Sequence, residues 1–217
     1  MSDVADRQLP EPAARHRRWT EFAATVLLAF GSAVTAWSAD QGSVWGGIQA
    51  TNYNQAVARR MESTRESTIA GQLGGVDVAM FMSWMNAYVA GNDKLQQFFR
   101  SRFRPEFRQA FEEWLATNPL TNPEAVASPF QLPSYRSEHL MRAVELDREA
   151  EALFQAGHRA NHYADTYIQG TVVLAMMLFF CGITQQFQHF PLRLILLGMA
   201  TLLLLYGLSR ILALPRA

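Results

Sequence analysis

The chain has 217 residues, enough for a few membrane spans and one further domain, and its formal net charge is zero. A neutral chain gives no electrostatic case for nucleic acid as a partner. The single cysteine, Cys181, excludes an intrachain disulfide and cysteine-based zinc coordination. Charged residues are absent from 22–39, 166–192 and 194–209, and such a segregation of apolar blocks is typical of an integral membrane protein.

The N-terminal region divides into a tail and a first membrane span. Residues 1–19 contain Pro10 and Pro12 and are predicted to be a disordered cytoplasmic tail. The apolar run predicts a first transmembrane helix over 20–39, rich in small residues that let helices approach closely in lipid. In a competing interpretation, residues 1–38 are a cleaved signal peptide, but the apolar run is long for such a segment.

Basic residues predict which side of the membrane each segment occupies. Arg15, His16, Arg17 and Arg18 precede the first span, whereas 41–58 carries no charge. The positive-inside rule therefore places the N-terminus in the cytoplasm. Everything between the first and second spans is then predicted to be an extracytoplasmic helical domain, residues 40–165.

A fourth span is the alternative topology. Arg216 lies on the outside in the three-span arrangement, against the positive-inside rule, and a span over Ile69–Ala90 would return it to the cytoplasm. That stretch contains Asp77, Gln72, Asn86 and three glycines. Polar and charged groups are costly in a bilayer, so three spans are favoured.

The outer half of the first helix is expected to continue to about Ala70. Gly71, Gly74 and Gly75 predict a break there. A second, apolar helix is predicted over Val76–Ala90, with Asp77 stabilised at its N-terminus. The alternative is that Asp77 is a buried functional acid. Gly91, Asn92 and Asp93 then predict the end of that helix and a cap for the next.

Two short aromatic helices follow. Leu95, Phe98, Phe99 and Phe103 share a face of a helix over Lys94–Phe103, and Pro105 opens another helix. Five aromatic side chains recur at helical spacing opposite arginines and are predicted to be buried: Phe98, Phe103, Phe107, Phe111 and Trp114. The alternative is that 98–108 contacts anionic lipid or a partner helix. Four prolines predict an irregular loop over 118–133, with one helical turn at Glu124–Ala127.

The C-terminal half predicts one long helix and a membrane hairpin. The helix starts near Ser134 and enters the membrane without interruption. Transmembrane helices are predicted over 166–188 and 191–212, because each run is about 20 apolar residues long. Pro191 suits the first turn of the last helix. Together these elements predict an all-α integral membrane protein with three transmembrane helices and a helical bundle outside the lipid.

The long helix has two contrasting faces at 100° per residue. One is an apolar stripe of mainly small residues: Leu146, Ala150, Leu153, Gly157, Ala160, Ala164 and Ile168. The other carries His158, His162 and Asp165 at i, i+4 and i+7, a spacing that suits a metal ion, although an ordinary solvated face is the more common explanation.

A helix-packing interface is predicted where the first and second spans leave the membrane. Gly42 and Gly46 lie at the same height as Gly157, Ala160 and Ala164, and residues spaced by four share a helical face. Two faces of small residues permit close approach, within one chain or across an oligomer. Gly46→Leu is therefore expected to separate the helices and destabilise the protein, whereas Gln49→Leu should matter less.

The pattern Trp37-Ser38-x-x-Gln41-x-x-x-Trp45-x-x-x-Gln49, followed by the terminal apolar hairpin, resembles a group of uncharacterised bacterial inner-membrane proteins. That resemblance implies the bacterial inner membrane as the location and brings no activity with it. The layout of two membrane helices continuing into an outer bundle also resembles bacterial sensor domains. The chain lacks their cytoplasmic signalling module, so any output would pass to a partner.

The sequence predicts a membrane-anchored scaffold or sensor-like subunit that acts through helix packing with itself or with a membrane-protein partner. No catalytic arrangement and no cofactor site stand out. The alternative is a subunit of an oligomeric channel or transporter, in which Gln169, Thr171, Thr184 or the amides of 41–58 line a pore.

Overall fold

A computed structural model describes residues 11–187 and 189–216, and every regular element within them is helical. The five α-helices are α1 (Glu11–Val89), α2 (Asp93–Ser101), α3 (Pro105–Ala116), α4 (Glu138–Thr184) and α5 (Phe190–Leu212). A 3-10 turn, Pro129–Gln131, interrupts the loop between α3 and α4. Three helices, α1, α4 and α5, are long and apolar enough to cross a membrane.

Two predicted boundaries along α1 are wrong. Part of the expected tail, residues 11–19, belongs to the helix, and the rest of that tail, residues 1–10, lies outside the described residues. The three glycines do not break α1 either, since it continues to Val89. A glycine in a helix costs only about 1 kcal/mol relative to alanine, which packing elsewhere along the helix offsets.

The caps after α1 agree with the sequence. Gly91 adopts φ +63°, the left-handed conformation that favours glycine and ends a helix. Asn92 then caps α2, its side-chain oxygen accepting a hydrogen bond from the Leu95 backbone N–H at 3.1 Å. Pro105 opens α3 as predicted. The turn expected at Glu124–Ala127 is instead the 3-10 turn a few residues later.

The chain divides into two compact units. The first comprises the chain up to Tyr53 and from Gln155 onward, and the second is Asn54–Phe154. Helices α1 and α4 contribute to both units, whereas α2 and α3 lie entirely in the second and α5 entirely in the first. Residues 40–53 and 155–165, expected in the outer domain, therefore belong to the first unit.

The first unit packs α1, α4 and α5 around an aliphatic core. Seven buried residues of α4 and α5 form its centre: Tyr167, Leu174, Met177, Cys181, Ala200, Leu204 and Ile211. Half-buried side chains of α1, such as Leu27, pack against it. Pro191 lies in the first turn of α5 as predicted, while α4 ends at Thr184 rather than at 188.

The second unit is built on an aromatic core. Its buried members come from α1 and α3 and from the turn before α3: Phe81, Trp84, Phe103, Phe107, Phe111 and Trp114. Four of the five aromatic residues predicted to be buried are therefore in this core. Phe98 is the exception, since it is 47% exposed. Phe98 and Phe99 point 100° apart on α2, and only Phe99 packs against the core.

The buried face of α4 follows a coiled-coil spacing. Positions alternate three and four residues apart along the helix: Ala143, Leu146, Ala150, Gly157, Ala160, Ala164 and Tyr167. Half-buried Leu153 fills the remaining place in the pattern. The predicted small-residue stripe is confirmed except at its end, where Ile168 is exposed and Tyr167 is buried. The buried positions repeat every seven residues, whereas the prediction used the 3.6-residue period of a straight helix, so the last buried position falls on Tyr167.

Candidate functional site

A buried carboxylate lies at the centre of the second unit. The Asp77 side chain on α1 is 2% exposed, and the Tyr135 hydroxyl donates a hydrogen bond of 3.0 Å to its Oδ2 atom. The Arg104 guanidinium lies 3.5 Å from the same oxygen. The expected position of Asp77 at a helix N-terminus is wrong, because α1 passes straight through it. A phenol and a cation stabilise the carboxylate instead.

Local sequence positions both partners of Asp77. Arg104 precedes Pro105, which holds it in an extended conformation at φ −60° and ψ 148°. From there Arg104 also reaches Glu106, its Nη2 lying 3.2 Å from Glu106 Oε2. The Tyr135 ring packs edge-on against Phe107 at 6.1 Å and Phe130 at 5.2 Å. The aromatic core therefore fixes the hydroxyl that faces Asp77.

The protonation states of this cluster follow from burial. Burial raises the pKa of Asp77, and the Tyr135 hydrogen bond and the Arg104 charge oppose that rise. Burial and the nearby Asp77 charge raise the pKa of Tyr135 to about 12. The phenol thus stays a neutral donor near neutral pH. The cluster can hold a proton on Asp77 or an ion pair between Asp77 and Arg104, and so it joins three segments of the chain. It offers no activated nucleophile.

An open polar groove of about 450 Å³ lies beside this cluster. Its lining residues are Glu106, Gln109, Pro133, Ser134 and Arg136. Two of them carry buried oxygens that make no hydrogen bond, Ser134 Oγ and Glu106 Oε2, the latter being ion-paired with Arg104. The groove has the size and the donor and acceptor groups to admit a small polar molecule.

Ion pairs connect α1 and α4 within the second unit. Arg59 Nε lies 3.2 Å from a Glu149 oxygen, and Arg60 Nε lies 3.5 Å from an Asp147 oxygen. Each side chain is about half exposed, so each pair contributes little stability. A ring nitrogen of His139 lies 2.6 Å from Glu66 Oε2. No periodicity in the sequence indicated these pairings, which depend on how the two helices align.

The predicted metal ligands are not arranged around an ion. His158, His162 and Asp165 are exposed, and Asp165 accepts a hydrogen bond from the Asn161 side chain at 3.0 Å. Within residues 11–187 and 189–216, no three His, Cys, Asp or Glu side chains form a group that would hold a metal ion. Their spacing on α4 describes a polar helix face.

The predicted packing interface is displaced toward other residues. A methyl group added to Gly42 would lie 3.6 Å from the Ala164 carbonyl, so that contact is as expected. A methyl group on Gly46 would meet nothing within 4 Å. Among the three glycines of the predicted interface, Gly157 makes the closest approach, since its added methyl would lie 2.5 Å from the Tyr53 ring. Gly46 therefore makes no close contact within this chain, and its contact across an oligomer stays a prediction.

The tryptophan pattern lies at the end of the first unit near the C-terminus. Ser38 Oγ donates to the Tyr167 carbonyl at 2.9 Å, and the Trp37 ring packs edge-on against Tyr167 at 5.8 Å. The Trp45 indole N–H and the Tyr167 hydroxyl both donate to the Pro215 carbonyl at 3.2 Å. The motif thus ties α1, α4 and the end of the chain together.

A buried arginine fixes the opposite end of the first unit. Arg193, near the start of α5, is buried and donates to the Phe187 carbonyl at 2.6 Å and to Glu21 Oε1 at 3.3 Å. A charge is tolerated near lipid when it is paired in this way. Arg193 thus forms an ion pair between α1 and α5.

This architecture defines a class: an all-helical protein with three helices capable of spanning a membrane. Comparisons with protein-family models, curated protein sequences and solved structures give no match to the chain. The functional argument therefore rests on the geometry of the two units.

Proposed function

We propose that the protein is a membrane-anchored helical scaffold or sensor-like subunit that acts by helix packing with itself or with a membrane-protein partner. The observation that carries this proposal is the continuity of α1 and α4, each of which belongs to both units. A change in helix pairing in the second unit can be transmitted along an unbroken helix. The hydrogen bonds to Pro215 at one end of the first unit and the Arg193–Glu21 ion pair at the other support its role as a rigid anchor.

The proposed location is the bacterial inner membrane, with the N-terminus in the cytoplasm and residues 40–165 outside. Arg15–Arg18 before the first span support this orientation. The Asp77 face of the Ile69–Ala90 segment packs on an aromatic core, which accounts for its buried apolar residues, such as Phe81 and Trp84, without a fourth span. A cysteine at Glu124 in a Cys181→Ala background should react with a membrane-impermeant reagent in intact cells. Labelling only after permeabilisation would reverse the proposed orientation.

A channel subunit remains the second candidate, because Gln169 is an exposed amide on the membrane part of α4. The two threonines proposed for the pore favour the scaffold. Thr171 and Thr184 donate to carbonyls of their own helix at 3.0 and 2.8 Å, and Thr184 is buried.

Native mass measurement of the full chain in detergent separates the two functions. We expect a monomer or a dimer for a scaffold or sensor-like subunit. A closed ring that conducts ions in a planar bilayer would instead show that the protein is a channel subunit. Gln169→Leu should leave a scaffold's assembly state unchanged and should alter the conductance of a pore.

A further inference from the structure

Helix α2 is the one α-helix of the described residues that buries none of its side chains. It is nevertheless amphipathic: Leu95, Phe98 and Phe99 occupy an arc of about 100° on the helical wheel. Phe99 packs against the aromatic core, while Leu95 and Phe98 remain exposed. Val89, at the end of α1 just before this helix, is 81% exposed. The second unit thus presents aliphatic and aromatic side chains that its own core does not use.

The same segment is the most basic part of the second unit. Residues 93–108 contain five basic and two acidic residues. Arg100 is paired with Glu112, and Arg104 with Asp77 and Glu106, so Lys94 and Arg102 are the cations relevant to the exposed surface. Lys94 lies about 40° from Phe98 on the wheel. The Arg102 guanidinium lies over the Phe98 ring, 4.2 Å from its centroid. Cations therefore border the exposed aromatic ring directly.

We propose that α2 docks on an anionic lipid surface, with Phe98 and Leu95 entering the boundary between headgroups and acyl chains. Lys94 and Arg102 would bind lipid phosphates beside them. An amphipathic helix with a basic border and aromatic residues is the form that lies in a membrane interface. Basic residues near an anionic bilayer each strengthen binding about fivefold.

The small size of the surface favours lipid over a protein partner. A stable protein interface buries about 800 Å² on each side, which takes 20 to 30 residues. Helix α2 has nine residues and a half-buried Phe99 on one edge of its apolar face. A lipid surface needs no complementary shape, so a short helix with two apolar anchors suffices for weak, salt-sensitive attachment.

Vesicle flotation tests this proposal with the full chain held in nanodiscs of phosphatidylcholine. Vesicles of phosphatidylcholine with phosphatidylglycerol should carry the nanodiscs upward, and vesicles of phosphatidylcholine alone should not. Phe98→Ser should weaken binding at least about tenfold, because it removes the aromatic ring that would be buried in the lipid on docking. Lys94→Gln and Arg102→Gln should each weaken it about fivefold. Added salt should lower the binding of the wild type.

Met61→Ser is the matched control, since Met61 is an exposed apolar residue of the same unit outside α2. It should bind as the wild type does, and empty nanodiscs should not float. Phe98 is exposed, so its variant should keep the wild-type melting profile. Three outcomes would overturn the proposal: equal binding to both kinds of vesicle, no binding to either, or unchanged binding by Phe98→Ser. Each of them would favour a protein partner for this surface.

Discussion

The two units of this protein distribute apolar residues in opposite ways. The first unit buries Tyr167 together with mainly small and aliphatic side chains, and it exposes large ones such as Phe179 and Leu202. The second unit buries aromatic rings and surrounds its helices with charges such as Arg59 and Glu149. Helices α1 and α4 each show the first pattern in the first unit and the second pattern in the second unit. The pattern therefore depends on the unit and not on the helix.

The proposed topology, with the first unit in lipid and the second in water, accounts for this difference. In lipid, exposed apolar surface costs nothing, and helices associate through close packing of small residues. In water, burial of apolar surface is the main driving force, so large aromatic residues move to the core. The tightest glycine contacts lie in the first unit, where an added methyl would collide with Ile211 at Gly170 and crowd Leu174 at Gly207. Other glycines, such as Gly46 in the first unit and Gly71 in the second, would meet open space.

The strongest test of the aromatic core is Phe107→Ala. Phe107 is fully buried and contacts the rings of Phe81, Phe103 and Phe130. Its truncation should cost about 3–5 kcal/mol of the second unit's stability. Thermal unfolding followed by near-ultraviolet circular dichroism would report this loss. Phe98→Ala, at an exposed position, is the control and should cost well under half as much.

Tyr135→Phe tests the polar centre of the same unit. It removes the hydroxyl that donates to buried Asp77 and leaves the ring in place. An unsatisfied buried acceptor should cost about 1–3 kcal/mol, measured from the same unfolding transition. Tyr88→Phe removes a hydroxyl from an exposed ring and should change stability by less than about 0.5 kcal/mol. Equal effects of the two variants would contradict the assigned hydrogen bond.

Two glycine variants test the close helix packing of the first unit. Gly157→Ala drives a methyl group into the Tyr53 ring and should cost about 1–3 kcal/mol. Gly46→Ala meets open space and should be neutral or stabilising by up to about 1 kcal/mol, since alanine is the better helix former. The melting temperature of the full chain in detergent would show the two shifts. The reverse ranking would restore Gly46 as the contact point.

The smallest expected effect is the dependence of the second unit's stability on pH. Burial raises the folded-state pKa of Asp77 above its ordinary 3.8, so its contribution is full at low pH and is lost as pH rises through the folded pKa. Glu106 has the opposite sign. A hydrogen bond from its own backbone N–H lowers its pKa below 4.5, so its contribution is lost as pH falls through that lowered value.

Two variants separate these opposing contributions. Asp77→Asn should remove the stability gained on acidification, and Glu106→Gln should remove the stability lost on acidification. Unfolding measured across acidic to neutral pH should therefore show the two variants diverging from the wild type in opposite directions. Parallel curves would mean that neither carboxyl group governs the acidic side of the stability profile.

The sequence determined the elements whose signals are local. Apolar runs of about 20 residues located the three membrane helices, and Pro105 located the start of α3. Aromatic residues at helical spacing predicted the core around Phe107. These features follow from composition and periodicity along one segment, so no knowledge of the distant chain is needed.

Tertiary structure decided the contacts that depend on how separate segments align. Asp77 and Tyr135 are 58 positions apart, and nothing near either residue predicts their hydrogen bond. The choice of Gly157 over Gly46 depends on the register between α1 and α4, which a stripe of small residues leaves open. Adjacent Phe98 and Phe99 likewise have the same local pattern, and only the placement of the core separates the exposed ring from the packed one. A helical face is fixed by the spacing of its residues, whereas its partner is fixed by the packing of the whole fold.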